Sequence, residues 1–117
     1  MKNLFMVSAA LLTSTLALAH GDHKPPPRVA KCESSKCTKE EIMKGADMAI
    51  ALAKKDGDAK KKSWTVTTPL SVEEKSFSKG PEYVMAFEDK SRPEGEQKLY
   101  IFVTFEGAYN GANFSGK

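Results

Sequence analysis

Hydrophobic positions recur at two different spacings along the chain, and the first of these spacings is helical. Between residues 39 and 56 the apolar side chains follow the i, i+4, i+7, i+8, i+11 pattern of one helical face. These positions are Ile42, Ala46, Ala49, Ile50 and Ala53. Thr38 and Glu41 form a capping-box signature ahead of them, and Gly57 is a stop signal behind them. The pattern therefore predicts one helix over residues 39–56.

Beyond residue 63 apolar and polar residues alternate, which is the spacing of strands. Residues 64–68 predict a strand that Pro69 interrupts, and residues 71–77 predict a second short strand or an irregular continuation. Three further strands are predicted over residues 82–88, 98–105 and 108–114. In the second of these three, one face carries Leu99, Ile101, Val103 and Phe105, and the other carries Tyr100, Phe102 and Thr104.

A helix followed by a meander of three or four strands has one economical packing solution. The strands leave one sheet face bare, and the helix is the only element that can cover it. The sequence therefore predicts an α+β fold, with one N-terminal helix packed on a three- to four-stranded antiparallel meander sheet. The leading core candidates are Trp64, Phe87, Ile101 and Val103.

The N-terminus has the features of a secretory signal. Lys2 is followed by an apolar stretch over residues 4–18 and a small-x-small cleavage site at residues 17–19. That stretch is too short and too interrupted to span a membrane. We therefore predict three segments: a signal peptide over 1–19, a flexible arm rich in Pro and His over 20–37, and a domain over 38–117. The predicted location is outside the cytoplasm, in the periplasm of a bacterium.

Charge and missing motifs exclude several function classes. The formal net charge is only +3, which gives no argument for binding nucleic acid. The lysine run at residues 60–62 is interpreted as a solvated turn. Residues 38–117 contain no histidine, phosphate-binding loop or dinucleotide fingerprint. The sequence therefore indicates a protein that is not an enzyme.

The two cysteines, Cys32 and Cys37, are separated by four residues. In an oxidising compartment such a pair most often forms a disulfide, which is our prediction. The alternative is a zinc or copper site with two thiolate ligands. The two hypotheses exclude each other, because a disulfide removes both thiolates.

A possible metal site lies in the segment His20-Gly21-Asp22-His23. After cleavage His20 would carry an α-amine and an imidazole, and His23 could add a third nitrogen. Such donors suit copper, zinc or nickel, although ordering a flexible arm weakens the binding. Thioethers also bind Cu(I), but the spacing of Met43, Met48 and Met85 is better explained by packing in the core.

The stretch from residue 64 to 116 resembles small, uncharacterised secreted bacterial proteins of a PepSY-like type. The resemblance rests on a helix ahead of a short meander, on the strand Leu99-Tyr100-Ile101-Phe102 followed by Glu106-Gly107, and on the ending Gly111-Ala112-Asn113-Phe114-Ser115-Gly116. A His-containing N-terminus also recurs in such proteins. The resemblance implies a periplasmic binding or inhibitory module, and it carries over no catalytic residues.

Aromatic side chains on the last strands indicate where a partner would bind. A single helix covers one sheet face, so Tyr100 and Phe102 are expected on the open face as contacts for a protein or peptide. An edge strand could also pair with a partner strand. The predicted function is a non-catalytic secreted binding or interaction module. The alternative is a periplasmic metal-binding protein that uses His20 and His23, and the oligomeric state is left open.

Overall fold

The computed structural model describes residues 25–56 and 59–117. These described residues include three short helices, α1 (Lys39–Lys44), α2 (Ala46–Lys54) and α3 (Ala59–Lys62). The four strands are β1 (Ser71–Phe77), β2 (Gly80–Glu88), β3 (Lys98–Val103) and β4 (Tyr109–Asn113). The predicted α+β class is confirmed. The predicted signal peptide lies outside the described residues, and within them no helix is long and apolar enough to cross a membrane.

The strands form one antiparallel sheet in the order β1-β2-β3-β4, as a meander requires. Met85 pairs with Val72 and Ile101, and these residues face the helices. The next pairs along, Val84 with Phe102 and Ala86 with Tyr100, belong to the opposite face. We call this second face the open face. The predicted alternation of side chains in β2 and β3 therefore holds.

The helical region differs from its prediction in continuity but not in its buried face. All five predicted apolar positions are buried, and the capping box of Thr38 and Glu41 is formed. The single helix that was predicted is instead two helices, α1 and α2, which are separated at Gly45. A Cβ at Gly45 would lie 2.3 Å from the carbonyl oxygen of Val29. Glycine has low helix propensity, and here it admits another segment of backbone.

The four predicted core residues, Trp64, Phe87, Ile101 and Val103, are all fully buried. The strand predicted over residues 64–68 is absent, and the segment has no regular secondary structure. The Trp64 indole donates to the carbonyl of Val66 at 2.8 Å, and the guanidinium carbon of Arg92 lies 5.1 Å from its ring centroid. Trp64 therefore lies buried beneath the loop after β2 and is not part of a strand.

Two predictions about polar and flexible side chains are wrong. The lysine run forms part of α3, and Lys61 is buried. Its ammonium is paired with Asp56 at 3.4 Å and donates to the carbonyl of Ala112 at 3.0 Å, which offsets the cost of burying the charge. Met85 is buried as expected, but Met43 and Met48 are 39% and 50% exposed. Each lies next to the buried stripe of its helix rather than within it.

The part of the arm that the structure describes has a packing face, contrary to the sequence prediction. Val29 is buried, and its amide donates to the carbonyl of Gly107 at 2.8 Å. The amide of Tyr109 donates to the carbonyl of Pro27, also at 2.8 Å. The arm therefore extends the sheet for a short distance beside the start of β4. Alternation of apolar residues could not reveal this, because the two buried residues of the described part of the arm, Val29 and Cys37, lie far apart in the segment.

Candidate functional site

The predicted disulfide between Cys32 and Cys37 is present, with the two Cα atoms 5.2 Å apart. Cys37 is buried, and its carbonyl accepts a hydrogen bond from the hydroxyl of Tyr83. The disulfide fits an oxidising, extracytoplasmic compartment. In this oxidised form neither sulfur is a thiolate, so the alternative site with two thiolate ligands is not available.

Glu41 is a neighbour of the disulfide that sequence reasoning did not connect with it. A carboxylate oxygen of Glu41 lies within 4.8 Å of both sulfur atoms. The other partners of Glu41 are the backbone amides of Thr38 and Glu33, at 2.8 Å and 3.4 Å. The Thr38 amide is the main reason that the pKa of Glu41 lies below its ordinary value. Glu41 therefore joins the helix start to the loop closed by the disulfide.

The predicted metal ligands His20 and His23 lie outside the described residues. The structure therefore neither places them near the cysteines nor separates them. A copper, zinc or nickel site at the N-terminus stays a prediction from the sequence.

Tyr100 and Phe102 lie on the open face, as their alternation predicts, but neither is fully exposed. Phe102 is only 7% exposed, because the ring of Phe77 packs edge-on against it with centroids 5.6 Å apart. Tyr100 is half-buried, and Gly116 of the C-terminal tail lies against its ring. The expectation of an exposed aromatic face is therefore wrong for Phe102. A contact role for the two residues stays a prediction.

A cavity of about 380 Å³ opens beside Phe102 on this side of the sheet. We call it the sheet-face depression. Its apolar lining is provided by the rings of Phe77 and Phe102 and by Ala112. Its polar lining comes from the β1–β2 turn, from β2 and β4, from the residue Asp56 after α2, and from Lys117. The polar residues are Ser78, Lys79, Glu82, Asn110, Asn113, Asp56 and Lys117. Of these lining residues only Phe102 was expected from the sequence.

Local backbone geometry explains why the depression forms at this point. The pairing of β3 with β4 shifts register between Ile101 and Val103. Gly111 in β4 has a φ of 117°, a conformation that side-chain-bearing residues rarely adopt. Gly111 lines the depression, and a Cβ placed there would meet no atom within 4 Å, so the space beside it is open. The Asn110-Gly111 pair is the sequence signal for this irregularity, as glycine within a strand often marks a bulge.

Both acidic residues that line the depression have partners. Glu82 accepts a hydrogen bond from the side-chain amide of Asn110. Asp56 accepts one from the hydroxyl of Tyr109 at 3.0 Å and is paired with Lys61. Burial is the main reason that the pKa of Tyr109 is raised, and its hydrogen bond to Asp56 acts in the same direction. Both carboxylates in the wall of the depression are thus held by neighbouring side chains.

Comparison with known proteins identifies a family for the chain, and the function of that family is unknown. No curated protein and no solved structure is significantly similar to the chain. A PepSY link is therefore not shown, and that resemblance stays a prediction. One family model, described as a family of unknown function, matches residues 1–117. The chain accordingly belongs to the DUF6488 family.

Proposed function

We propose that this protein is a secreted, non-catalytic binding module that holds an extended segment of a protein or peptide partner in the sheet-face depression. The observation that carries the proposal is the depression itself, with two phenylalanine rings in its lining and a polar rim. It lies on the sheet face that the helices do not cover. Binding sites commonly combine an apolar surface with a few polar groups that set orientation.

The lining indicates what kind of segment would fit. An aliphatic or aromatic side chain would pack against Phe77 and Phe102. Two exposed lysines at the rim, Lys79 and Lys117, would attract an acidic group on the same segment. The charge of Glu82 offsets only part of this attraction, because the rim carries two lysines and the other carboxylate, that of Asp56, is paired with Lys61. We therefore favour a partner segment with an apolar residue close to an aspartate or glutamate.

The chemistry of the lining supports binding without catalysis. Its carboxylates are those of Asp56 and Glu82, and both are held by neighbouring side chains. Proton transfer at neutral pH is most often done by histidine. The chain has two histidines, His20 and His23, and both precede the domain.

One observation and one prediction from the sequence agree with a secreted module of this kind. The disulfide is typical of proteins that work in an oxidising compartment. The PepSY-like resemblance implies a periplasmic binding or inhibitory role. Secretion and the periplasmic location remain part of the proposal.

The proposal can be tested by selection from a random-peptide library on the immobilised, disulfide-bonded chain. The test variant is Asn110→Trp, which places a large ring over the depression from an exposed position. The control is Met48→Trp, on the exposed side of α2. Selected peptides should carry an apolar residue near an acidic one. Their Kd should rise about tenfold or more for Asn110→Trp and stay unchanged for Met48→Trp.

Either of two results would argue against the proposed function. The first would be a selection that enriches no peptide. The second would be enriched peptides that bind the wild type and the Asn110→Trp variant equally. Thermal unfolding of both variants should match wild type, which ensures that lost binding reflects a blocked depression.

A further inference from the structure

The two edge strands of the sheet, β1 and β4, differ in how many of their outward backbone groups are hydrogen-bonded. The edge of β4 is partly closed, because the Tyr109 amide donates to Pro27 and the carbonyl of Ala112 accepts from Lys61. Among residues 25–56 and 59–117, no strand pairs with the outer edge of β1. Unpaired edges are templates for pairing with another strand.

The hydrogen-bonding phase of β1 follows from its hairpin. Phe77 pairs with Gly80 across a two-residue turn, so this pair exchanges backbone hydrogen bonds. In an antiparallel ladder hydrogen-bonded pairs alternate with pairs that are not bonded. The N–H and C=O groups of Val72, Glu74 and Ser76 therefore point away from β2, toward the free edge.

The sequence of β1 is complementary in charge to its own reverse. If a second β1 runs antiparallel with the two-fold axis at Glu74, Glu73 of one copy faces Lys75 of the other, twice. The same register pairs Val72 with Ser76, and it uses the whole strand. The two Glu74 side chains face each other, but each already has an ion pair with its own Lys36 at 3.2 Å. Opposite charges directly across a strand pair are favourable.

Position on the sheet also favours this contact. Glu73 and Lys75 pair with Val84 and Glu82, so they lie on the open face and away from the helices. Residues 73–76 are all exposed in the single chain. We propose that two copies of this protein associate through the outer edge of β1, forming one continuous sheet of eight strands. The proposal concerns a different surface from the sheet-face depression and does not depend on it.

Sedimentation equilibrium of the secreted, disulfide-bonded chain tests the proposal through a charge-reversal cycle. Wild type should show a reversible monomer–dimer equilibrium. Glu73→Lys and Lys75→Glu each create two like-charge contacts, so each should weaken dimerisation by about tenfold. The double variant restores opposite charges and should return the dimer Kd to within about threefold of wild type.

A second variant tests the ladder itself. Glu74→Pro removes an outward N–H at the centre of the proposed pairing, and proline is tolerated on an edge strand in that orientation. It should be monomeric and retain the wild-type circular dichroism spectrum. The proposal is overturned if wild type is monomeric up to about 1 mM, a concentration that would detect even weak association. It is equally overturned by a dimer that tolerates both single reversals.

Discussion

The hydroxyl of Tyr83, in the second strand, donates a hydrogen bond to the carbonyl of Cys37, next to the start of the first helix. Tyr83 and Cys37 are 2% and 1% exposed, so neither group has water as an alternative partner. The bond joins the sheet to the loop closed by the disulfide. The arm, the first helix and the sheet therefore stabilise one another.

We expect Tyr83→Phe to destabilise the protein by about 1–3 kcal/mol, because the buried carbonyl of Cys37 loses its donor. The matched control is Tyr100→Phe, which removes a hydroxyl from a half-buried ring on the open face. The free energy of unfolding in urea measures both effects. Equal stability of the two variants would show that the Tyr83 bond contributes nothing specific.

Removal of the disulfide by Cys32→Ser with Cys37→Ser should cost about 2 kcal/mol, since the closed loop is short. The arm should nevertheless stay docked, because Val29 is buried and its amide is bonded to Gly107 independently of the sulfurs. Thermal unfolding and hydrogen exchange at the Val29 amide check the two statements. Loss of protection at Val29 in a variant that is still folded would contradict the second.

Gly107→Ala should be more damaging than Gly95→Ala, although both glycines have positive φ, 96° and 87°. A Cβ at Gly107 would lie 2.3 Å from the carbonyl oxygen of Ala30, whereas one at Gly95 meets no atom within 4 Å. Backbone strain alone costs about 1–3 kcal/mol at either position. The excess for Gly107, measured by urea unfolding, reports the contact between arm and sheet. Equal losses of stability would mean that the arm moves away from the methyl group added at Gly107 at no cost in free energy.

The charge of Glu41 should contribute stability that depends on pH. Its pKa is lowered from 4.5 in the folded chain, mainly by the amide of Thr38. A lowered folded pKa gives stability that is present above the unfolded pKa and is lost as the pH falls through the folded value. Wild type should therefore be more stable than Glu41→Gln at pH 7, with a difference that shrinks below pH 4.5. A difference that is constant from pH 7 to pH 3 would contradict this account.

Periodicity predicted the parts of the fold in which many side chains share one environment. The buried stripe of α1 and α2 and the alternation of β2 and β3 are of this kind, as are the four core residues. The alternation over residues 64–68 predicts a strand at Trp64, and this fails because a loop residue can fill a core as well as a strand residue can. The break at Gly45 depends on a contact with Val29, which lies distant in sequence and has no periodic signal.

The disulfide was predictable from cysteine spacing, but the sheet-face depression was not. It depends on Phe77 covering Phe102 across β2, and on a register shift beside Gly111. Neither relationship is local in the sequence. The sequence therefore predicted which face was open and two of its aromatic residues, but not how the face closes over one of them.

The most direct test of the binding function is site-specific photo-crosslinking in the producing cells. A benzoylphenylalanine at Ser78, an exposed residue on the rim of the depression, is compared with one at Met48, on the exposed side of α2. We expect a discrete crosslinked protein from position 78 only, with competition by added wild-type chain but not by its Asn110→Trp variant. Identical products from both positions, or no product from position 78, would contradict a binding function for the sheet-face depression.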